Sequence, residues 1–358
     1  MGKLAVYKYV AMMFLVLQLI VSVFTIVAIF TILGIFGGNF NPEKSHAMAM
    51  LTYALPILII ANIVILAFWL LRRRLHWAVM PAFALLFCLR YVGTIAQPGF
   101  FSQRENIISG VKIATYNVER FKHETSGFRS ENILSAMKNQ DVHIFCIQEY
   151  SDRSGDRLNS EHYATVFPHH VFGHDDMAIF SKYPIRRHGT IDFGHTNNSA
   201  MWADIDIDGT VVRVFNVHMQ TTGINRTQHK AARMREKGYD LADNFIMRAL
   251  YANFTDGIIV RAHQADQVAR EVEKSDYPVI LCGDFNDVPY SYTYNTLLGD
   301  LRDGFRECGE GFMYTKRGRK MFRIDYIFHD KAFRGNVYYR YDLSFSDHYP
   351  VLMRLMLK

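Results

Sequence analysis

Residues 279–289 read Val-Ile-Leu-Cys-Gly-Asp-Phe-Asn-Asp-Val-Pro: four apolar residues run into Gly283-Asp284-Phe285-Asn286, and a proline closes the turn. An apolar run of that length, stopped by glycine and proline, is a buried strand delivering Asp284 and Asn286 to one side of a tight turn. A matching run near the C-terminus ends in Ser346-Asp347-His348. Two strand ends that present acid, amide and imidazole supply what is needed to hold a hard metal ion beside a phosphate.

Working outward, short β-rich runs alternate with helix-like stretches from residue 107 to the C-terminus. Strands are expected over 111–117, 142–149, 177–181, 202–207, 211–218, 279–282, 323–329, 337–343 and 349–357. Helices are expected over 130–139, 227–250 and 258–274. Asp208-Gly209 between two β runs signals a hairpin. Alternating and continuous apolar strands with helices between them imply two stacked mixed sheets with helices outside. Asn117, Glu149, His218, Asp284, Asn286, Asp325, Asp347 and His348 are expected at strand C-ends or the turns just after, and such turns gather on one sheet edge.

The first hundred residues are different. Apolar runs at about 10–36, 49–71 and 77–96 each approach the ~20 residues that cross a ~30 Å hydrocarbon core. The first is too long for a signal-peptide core and lacks a small-x-small cleavage site, so it is read as retained. Lys3 and Lys8 precede it and Arg72-Arg73-Arg74 separate the second from the third, which puts the N-terminus and the arginine triplet in the cytoplasm. Three crossings then place the following domain outside. The third run contains Pro81 and Arg90; Arg90 lies near its outer end, where it can snorkel to the headgroups. If that run only lies on the membrane surface, the domain is cytoplasmic instead. The reading is a multi-pass plasma- or inner-membrane protein: a three-helix anchor over 1–97 and a catalytic domain over 98–358.

The net charge of +6 suits an anionic substrate or an acidic membrane surface without specifying either. Four cysteines without C-x-x-C or zinc-like spacing exclude a zinc ribbon and predict no disulfide framework. Cys308 alone lies in a polar stretch. Asn117, Glu149 and Asp347 offer three oxygen ligands; Mg²⁺ takes one or two carboxylates and keeps waters for a substrate phosphate, so Mg²⁺ or Mn²⁺ is favoured over a softer ion. Asp284 can orient or deprotonate a water, and Asn286 can donate to a phosphoryl oxygen. His348 suits acid–base work, with Asp325 of Arg323-Ile324-Asp325 as the acceptor that orients it. His218 can donate to the phosphate.

In this order, Thr115-Tyr116-Asn117-Val118-Glu119, Ile147-Gln148-Glu149, Asn216-Val217-His218, Gly283–Asn286, Arg323–Ile327 and Ser346-Asp347-His348 resemble the endonuclease/exonuclease/phosphatase superfamily, the DNase I-like metal-dependent phosphoesterases. The resemblance covers about two-thirds of the chain. It implies a four-layer αββα sandwich and Mg²⁺-dependent cleavage of a phosphoester by water. It further implies Glu149 as principal metal ligand with Asn117 and Asp347 beside it, Glu119 as an extra ligand, and Asp284 with Asn286 positioning water and phosphate. Asp325–His348 would form the acid–imidazole pair and His218 would contact the phosphate, with Asp175 or Asp176 as its support. Either Asp284 or His348 can take the water's proton.

The partners expected are a phosphodiester substrate, either nucleic acid or a lipid headgroup, and the bilayer through residues 10–96, with no obligate protein partner. Nuclease, sphingomyelinase and phospholipid-headgroup activities stay open at this level. A basic segment, 226–237, can border the site or form a solvated helix face. Loss of one motif would mark a non-catalytic scaffold; every acidic and histidine position is present.

Overall fold

The computed structural model describes residues 3–98, 109–123, 126, 128–150, 162–174, 177–194, 196, 198–237, 243–318 and 322–358. The chain divides into one unit of Met1–Gly93 with Tyr290–Tyr292, and a second unit of Thr94–Pro289 with Thr293–Lys358.

The first unit holds three apolar helices: α1 (Lys3–Gly37), α2 (His46–Leu71) and α3 (Leu75–Val92). Each is long and apolar enough to cross a membrane. Polar groups join α1 to α2: Asn62 Nδ2 donates to Thr31 Oγ1 at 2.7 Å, and Thr52 Oγ1 donates to the Gly34 carbonyl at 2.8 Å. Between apolar helices such bonds hold neighbours where apolar contact alone does not discriminate protein from lipid. The third helix is shorter than the sequence run. It ends at Val92 because the chain turns at Gly93 and pairs as β1 (Ala96–Gln97) with β11 (Gly311–Phe312). Its 18 residues rise about 27 Å, just under the hydrocarbon thickness.

The second unit is built on two six-stranded mixed sheets. One has the order β10 (Arg302–Asp303), β12 (Asp325–His329), β9 (Val279–Asp284), β8 (Thr210–His218), β7 (Ser199–Ile207), β6 (Ile185–Asp192). The other runs β13 (Phe333–Arg340), β14 (Val351–Leu357), β2 (Val111–Asn117), β3 (Ile144–Gln148), β5 (Ala178–Ser181), β4 (His169–Phe172). Each sheet has one parallel pair, β8–β9 or β2–β3, and every other pairing is antiparallel. A parallel pair needs a crossover. Here α4 (Phe128–Asn139) lies between β2 and β3, and α5 (Ile224–Glu236) and α6 (Asp243–Glu273) lie between β8 and β9.

Three apolar clusters define the layers. Ile113, Cys146, Met201, Val214, Cys282 and Met353 fill the space between the sheets. Ile133 and Met137 of α4 pack on the outer side of one sheet with Phe145 and Phe180, and Ala265 and Val268 of α6 pack on the other with Phe215 and Leu281. This is the αββα sandwich. The Asp208-Gly209 hairpin joins β7 to β8, and both residues have positive φ (50° and 91°), as a two-residue primed turn requires. Two expectations change. The helical stretch expected over 227–250 falls on two helices, α5 ending at Glu236 and α6 beginning at Asp243, well before the expected 258. Cys308, read from a polar stretch, is buried between the sheets because the short helix carrying it turns the thiol inward.

Candidate active site

The antiparallel and parallel pairings bring separate motifs to one edge. Parallel register sets His218 beside Asp284 and Asn117 beside Gln148, and antiparallel register sets Asp325 opposite Asp284. Asp325 therefore opens β12 instead of closing a strand, and Asp347-His348 lie in the turn before β14 instead of at a strand end. The expectation of strand C-ends or the turns just after fails for Asp325, whereas Asp347-His348 lie in the turn that follows β13 and precedes β14. They reach the same edge because their strands run antiparallel to the neighbours that end there.

The turn after β9 depends on Gly283. At φ 140° its Cα sits so close to β8 that a Cβ would lie 1.9 Å from the Val217 carbonyl oxygen. Only glycine fits. Next to it, Asn286 adopts φ 51° and its backbone N–H donates to Asp284 Oδ1 at 2.9 Å. On the opposite sheet Glu149 also takes a left-handed φ, 53°, and its carbonyl accepts from the Arg120 N–H at 3.0 Å. A buried clasp aligns the two sheets just below these residues. Gln148 Nε2 donates to Asn216 Oδ1 at 2.6 Å, and Asn216 Nδ2 donates to the carbonyls of Ile147 and Ala178 at 2.9 Å. Gln148 precedes Glu149 and Asn216 lies two residues before His218, so the clasp fixes both strand ends.

Contacts connect all nine residues singled out by the sequence. Asn117 Nδ2 donates to Glu149 Oε1 at 3.0 Å and to Asp284 Oδ2 at 3.1 Å, and Asn286 Nδ2 lies 3.3 Å from the same Asp284 oxygen. His218 Nε2 is 3.7 Å from Glu149 Oε1. His348 Nδ1 faces both Asp325 oxygens at 3.0 and 3.1 Å, while its Nε2 lies 3.5 Å from Asp284 Oδ2 and 3.7 Å from Asp347 Oδ1. The Asp347 N–H donates to Glu119 Oε2 at 3.1 Å. Asp284, Asp325, His348 and Asn117 are buried, whereas Glu149, Asp347 and Glu119 keep partial access to solvent. His218 is also buried, and its Nδ1 has no hydrogen-bond partner among the described residues. Asp175 and Asp176, its possible supports, lie outside the described residues.

Thr315 and Lys316, which lie outside every motif, and Arg323, which opens one without a role assigned to it, also support the site. Thr315 Oγ1 accepts from the backbone N–H groups of Ile324 and Asp325, fixing the start of β12. Arg323 is fully buried and paired with Asp303, and it also donates to the Thr94 carbonyl at 2.9 Å. Lys316 points into the site itself, with Nζ 2.5 Å from Asp347 Oδ2 and 2.8 Å from His348 Nε2. An aliphatic-stemmed cation in a polar loop carries no sequence signal, because nothing local distinguishes it from a solvated lysine.

The donor set fits a hard divalent ion. It is rich in carboxylate oxygen, has no thiolate, and at present balances its negative charge with an ammonium and an amide NH₂. Among the described His, Cys, Asp and Glu residues, ligand atoms of Asp284, Asp325 and His348 lie within 4.8 Å of one another. His348 is engaged with Asp325 through Nδ1, so these three read better as an acid–imidazole relay than as an ion cage. Glu149 and Asp347 are more accessible than these three; Glu149 contacts Asn117, and Glu119 contacts Asp347.

Burial alone would push the His348 imidazole down, but the Asp325 and Asp284 carboxylates overcome it and raise its pKa to about 9. Burial also pushes the Asp325 carboxyl up, against the pull of His348. A protonated Nε2 and an ammonium cannot share a 2.8 Å contact, since both would direct hydrogens at each other. Lys316 and a proton thus compete for Nε2, and protonation leaves Lys316 to Asp347. In the metal-free protein, NMR should find His348 titrating well above an ordinary histidine. Asp325→Asn should lower that value by removing an anionic partner, and Lys316→Met should raise it by removing the competing cation. Shifts of opposite sign would refute the competition.

The profile of the Endonuclease/Exonuclease/phosphatase family matches residues 114–348, and a domain of unknown function matches residues 10–95. No curated protein matches the chain. Among solved structures, D. rerio TDP2 complexed with single strand DNA product is similar at TM-score 0.51 and 17% identity, over 69% of this chain and 99% of that one. Family proteins from Bacteroides thetaiotaomicron and Bacteroides vulgatus each give TM-score 0.50, at 17% and 16% identity, over 70% of this chain and 96% and 100% of theirs. At such identities these likenesses speak for the fold alone. The profile, however, spans well over half of the chain and covers every site residue found at the sheet edge. The chain belongs to the endonuclease/exonuclease/phosphatase family of hydrolytic phosphoesterases.

Proposed function

We propose that this chain is a membrane-anchored phosphodiesterase that hydrolyses its substrate by attack of water, with Mg²⁺ or Mn²⁺ held by Glu149, Asp347 and Asn117 and flanked by Glu119. The observation that carries this reading is the continuous contact path from His218 through Glu149, Asn117 and Asp284 to His348 and Asp325. A bound ion would supply fixed positive charge where phosphoryl charge builds. The remaining work falls to the chain's own groups. Asp284, with one oxygen shared by two amides, orients the water and takes its proton. His348, held cationic by Asp325, neutralises a phosphoryl oxygen, and His218 and Asn286 donate to others.

Lys316 adds a cation on the His348 side of the site. Lys316→Met should lower turnover on a generic diester about tenfold, with Lys316→Arg retaining most of it. Equal rates for Met and wild type would remove Lys316 from the account.

Full-length protein in detergent, supplied with Mg²⁺ and offered DNA, RNA, sphingomyelin, phosphoinositides and bis-p-nitrophenyl phosphate, should cleave the generic diester and one natural class. Silence on all of them would favour a binding module. The three apolar helices support anchorage in a plasma or inner membrane. The basic residues before α1 and between α2 and α3 support a cytoplasmic N-terminus and an extracytoplasmic catalytic unit. Protease added to intact spheroplasts should then degrade residues after 97; full protection would reverse the orientation.

A further inference from the structure

The β8–β9 crossover is much longer than a parallel pair requires. Sixty residues separate His218 from Val279, where a dozen or so suffice. Of its two helices, it is the later part of α6 that packs on the sheet, through Ala265 and Val268, with Ile258 and Ala262 also buried. Across residues 224–254, no described side chain is buried. The helices α5 and the first third of α6 lie against each other, joined by Asn253 Nδ2 donating to Thr227 Oγ1 at 2.6 Å. They form an arm.

Its surface has two unusual features. Phe245, Met247 and Tyr251 on α6 are 63%, 64% and 58% exposed. On α5 and at its C-cap, the exposed Lys230, Arg233 and Lys237 recur at a spacing that places them on one helical face, and none has an ion-pair partner among the described residues. Residues 224–254 contain six basic and three acidic side chains, half of the chain's excess positive charge. Basic side chains beside exposed aromatic and methionine side chains are the chemistry of a segment lying in the headgroup layer. Water alone offers the three large apolar side chains nothing.

We propose that the α5–α6 arm is a second membrane contact, which lies against anionic phospholipid headgroups. The proposal rests on the reading that α1–α3 enter a bilayer. Two points favour lipid over a nucleic-acid strand. The first is the combination of basic stripe and exposed Phe245 and Met247. The second is the chain itself: α3 ends at Val92 and the catalytic unit begins at Thr94, so a bilayer that accepts α3 is tethered within a residue or two of that unit.

The test uses the full-length protein in nanodiscs of phosphatidylcholine, with or without phosphatidylglycerol, read by amide hydrogen exchange. Exchange across residues 224–254 should slow about tenfold or more in the anionic discs. High salt should reverse the slowing, as should the combined substitution Lys230→Glu, Arg233→Glu and Lys237→Glu. That variant should still hydrolyse a soluble diester at the wild-type rate, which shows that it folds. Equal exchange in both discs would overturn the proposal, as would protection conferred in neutral discs by a single-stranded oligonucleotide. Protein that enters neither disc would refute the bilayer reading and this proposal together.

Discussion

Glu149→Gln is expected to lower Mg²⁺-dependent turnover on bis-p-nitrophenyl phosphate by about 10²–10³-fold while changing KM little. The substitution keeps the shape of the side chain and its reach toward Asn117, 3.0 Å away, but removes the negative charge. A neutral amide can still accept a hydrogen bond, so the turn at φ 53° and the clasp below it should survive. What disappears is the attraction that would hold a divalent ion against the hydration it otherwise prefers. Because the ion's charge counts most as the phosphoryl group gains negative charge, the loss should fall on kcat. Excess Mn²⁺ should restore part of it, since binding is weakened and not geometrically abolished. A variant with near-wild-type kcat would remove Glu149 from the ion's ligand set.

His348→Ala should cost about 10²–10⁴-fold in turnover, again mainly in kcat. The imidazole is buried, tied by Nδ1 to Asp325, and faces Asp284 and Asp347 through Nε2. Removing it would take away the charge proposed to neutralise a phosphoryl oxygen and leave Asp325 and Asp284 as like charges in a dry environment. Asp325→Asn should act in the same direction and less severely, because it leaves the ring in place but lowers its pKa and loosens its orientation. Combining the two should cost little more than His348→Ala alone, the signature of residues acting as a unit. Additive losses would mean that Asp325 works independently of the ring. Thermal unfolding of the same variants separates these effects from loss of fold.

The sequence reveals the strands that carry the site because each is a short apolar run ending in a polar residue. Val279–Asp284 and Val111–Asn117 are buried along almost their whole length, so hydrophobicity alone marks them. By contrast, Ile185–Asp192 is an edge strand with no buried position, and its exposed residues Arg186, Arg187 and His188 hide it from such a reading. The early start of α6 escaped for a related reason. Its first turns are not buried, and an apolar pattern develops only where the helix meets the sheet.

The site shows the same division. Asp284 and His348 announce themselves because acid and imidazole follow apolar strands or precede them within a few residues. The direction of approach was not legible: Asp325 and His348 enter at strand beginnings, and only the antiparallel register explains how they join groups at strand ends. Lys316, Thr315 and the Gln148–Asn216 clasp depend on contacts between residues 9 to 68 positions apart. No local pattern encodes such contacts.

The most direct test of the shared pocket is a Mn²⁺ titration of the full-length protein followed by electron paramagnetic resonance. Wild type should hold the ion, and Glu149→Gln and Asp347→Asn, altered on separate loops of one sheet at the same edge, should each weaken that one site at least tenfold. Undiminished Mn²⁺ affinity in both variants would contradict the convergence of these loops around a single cation.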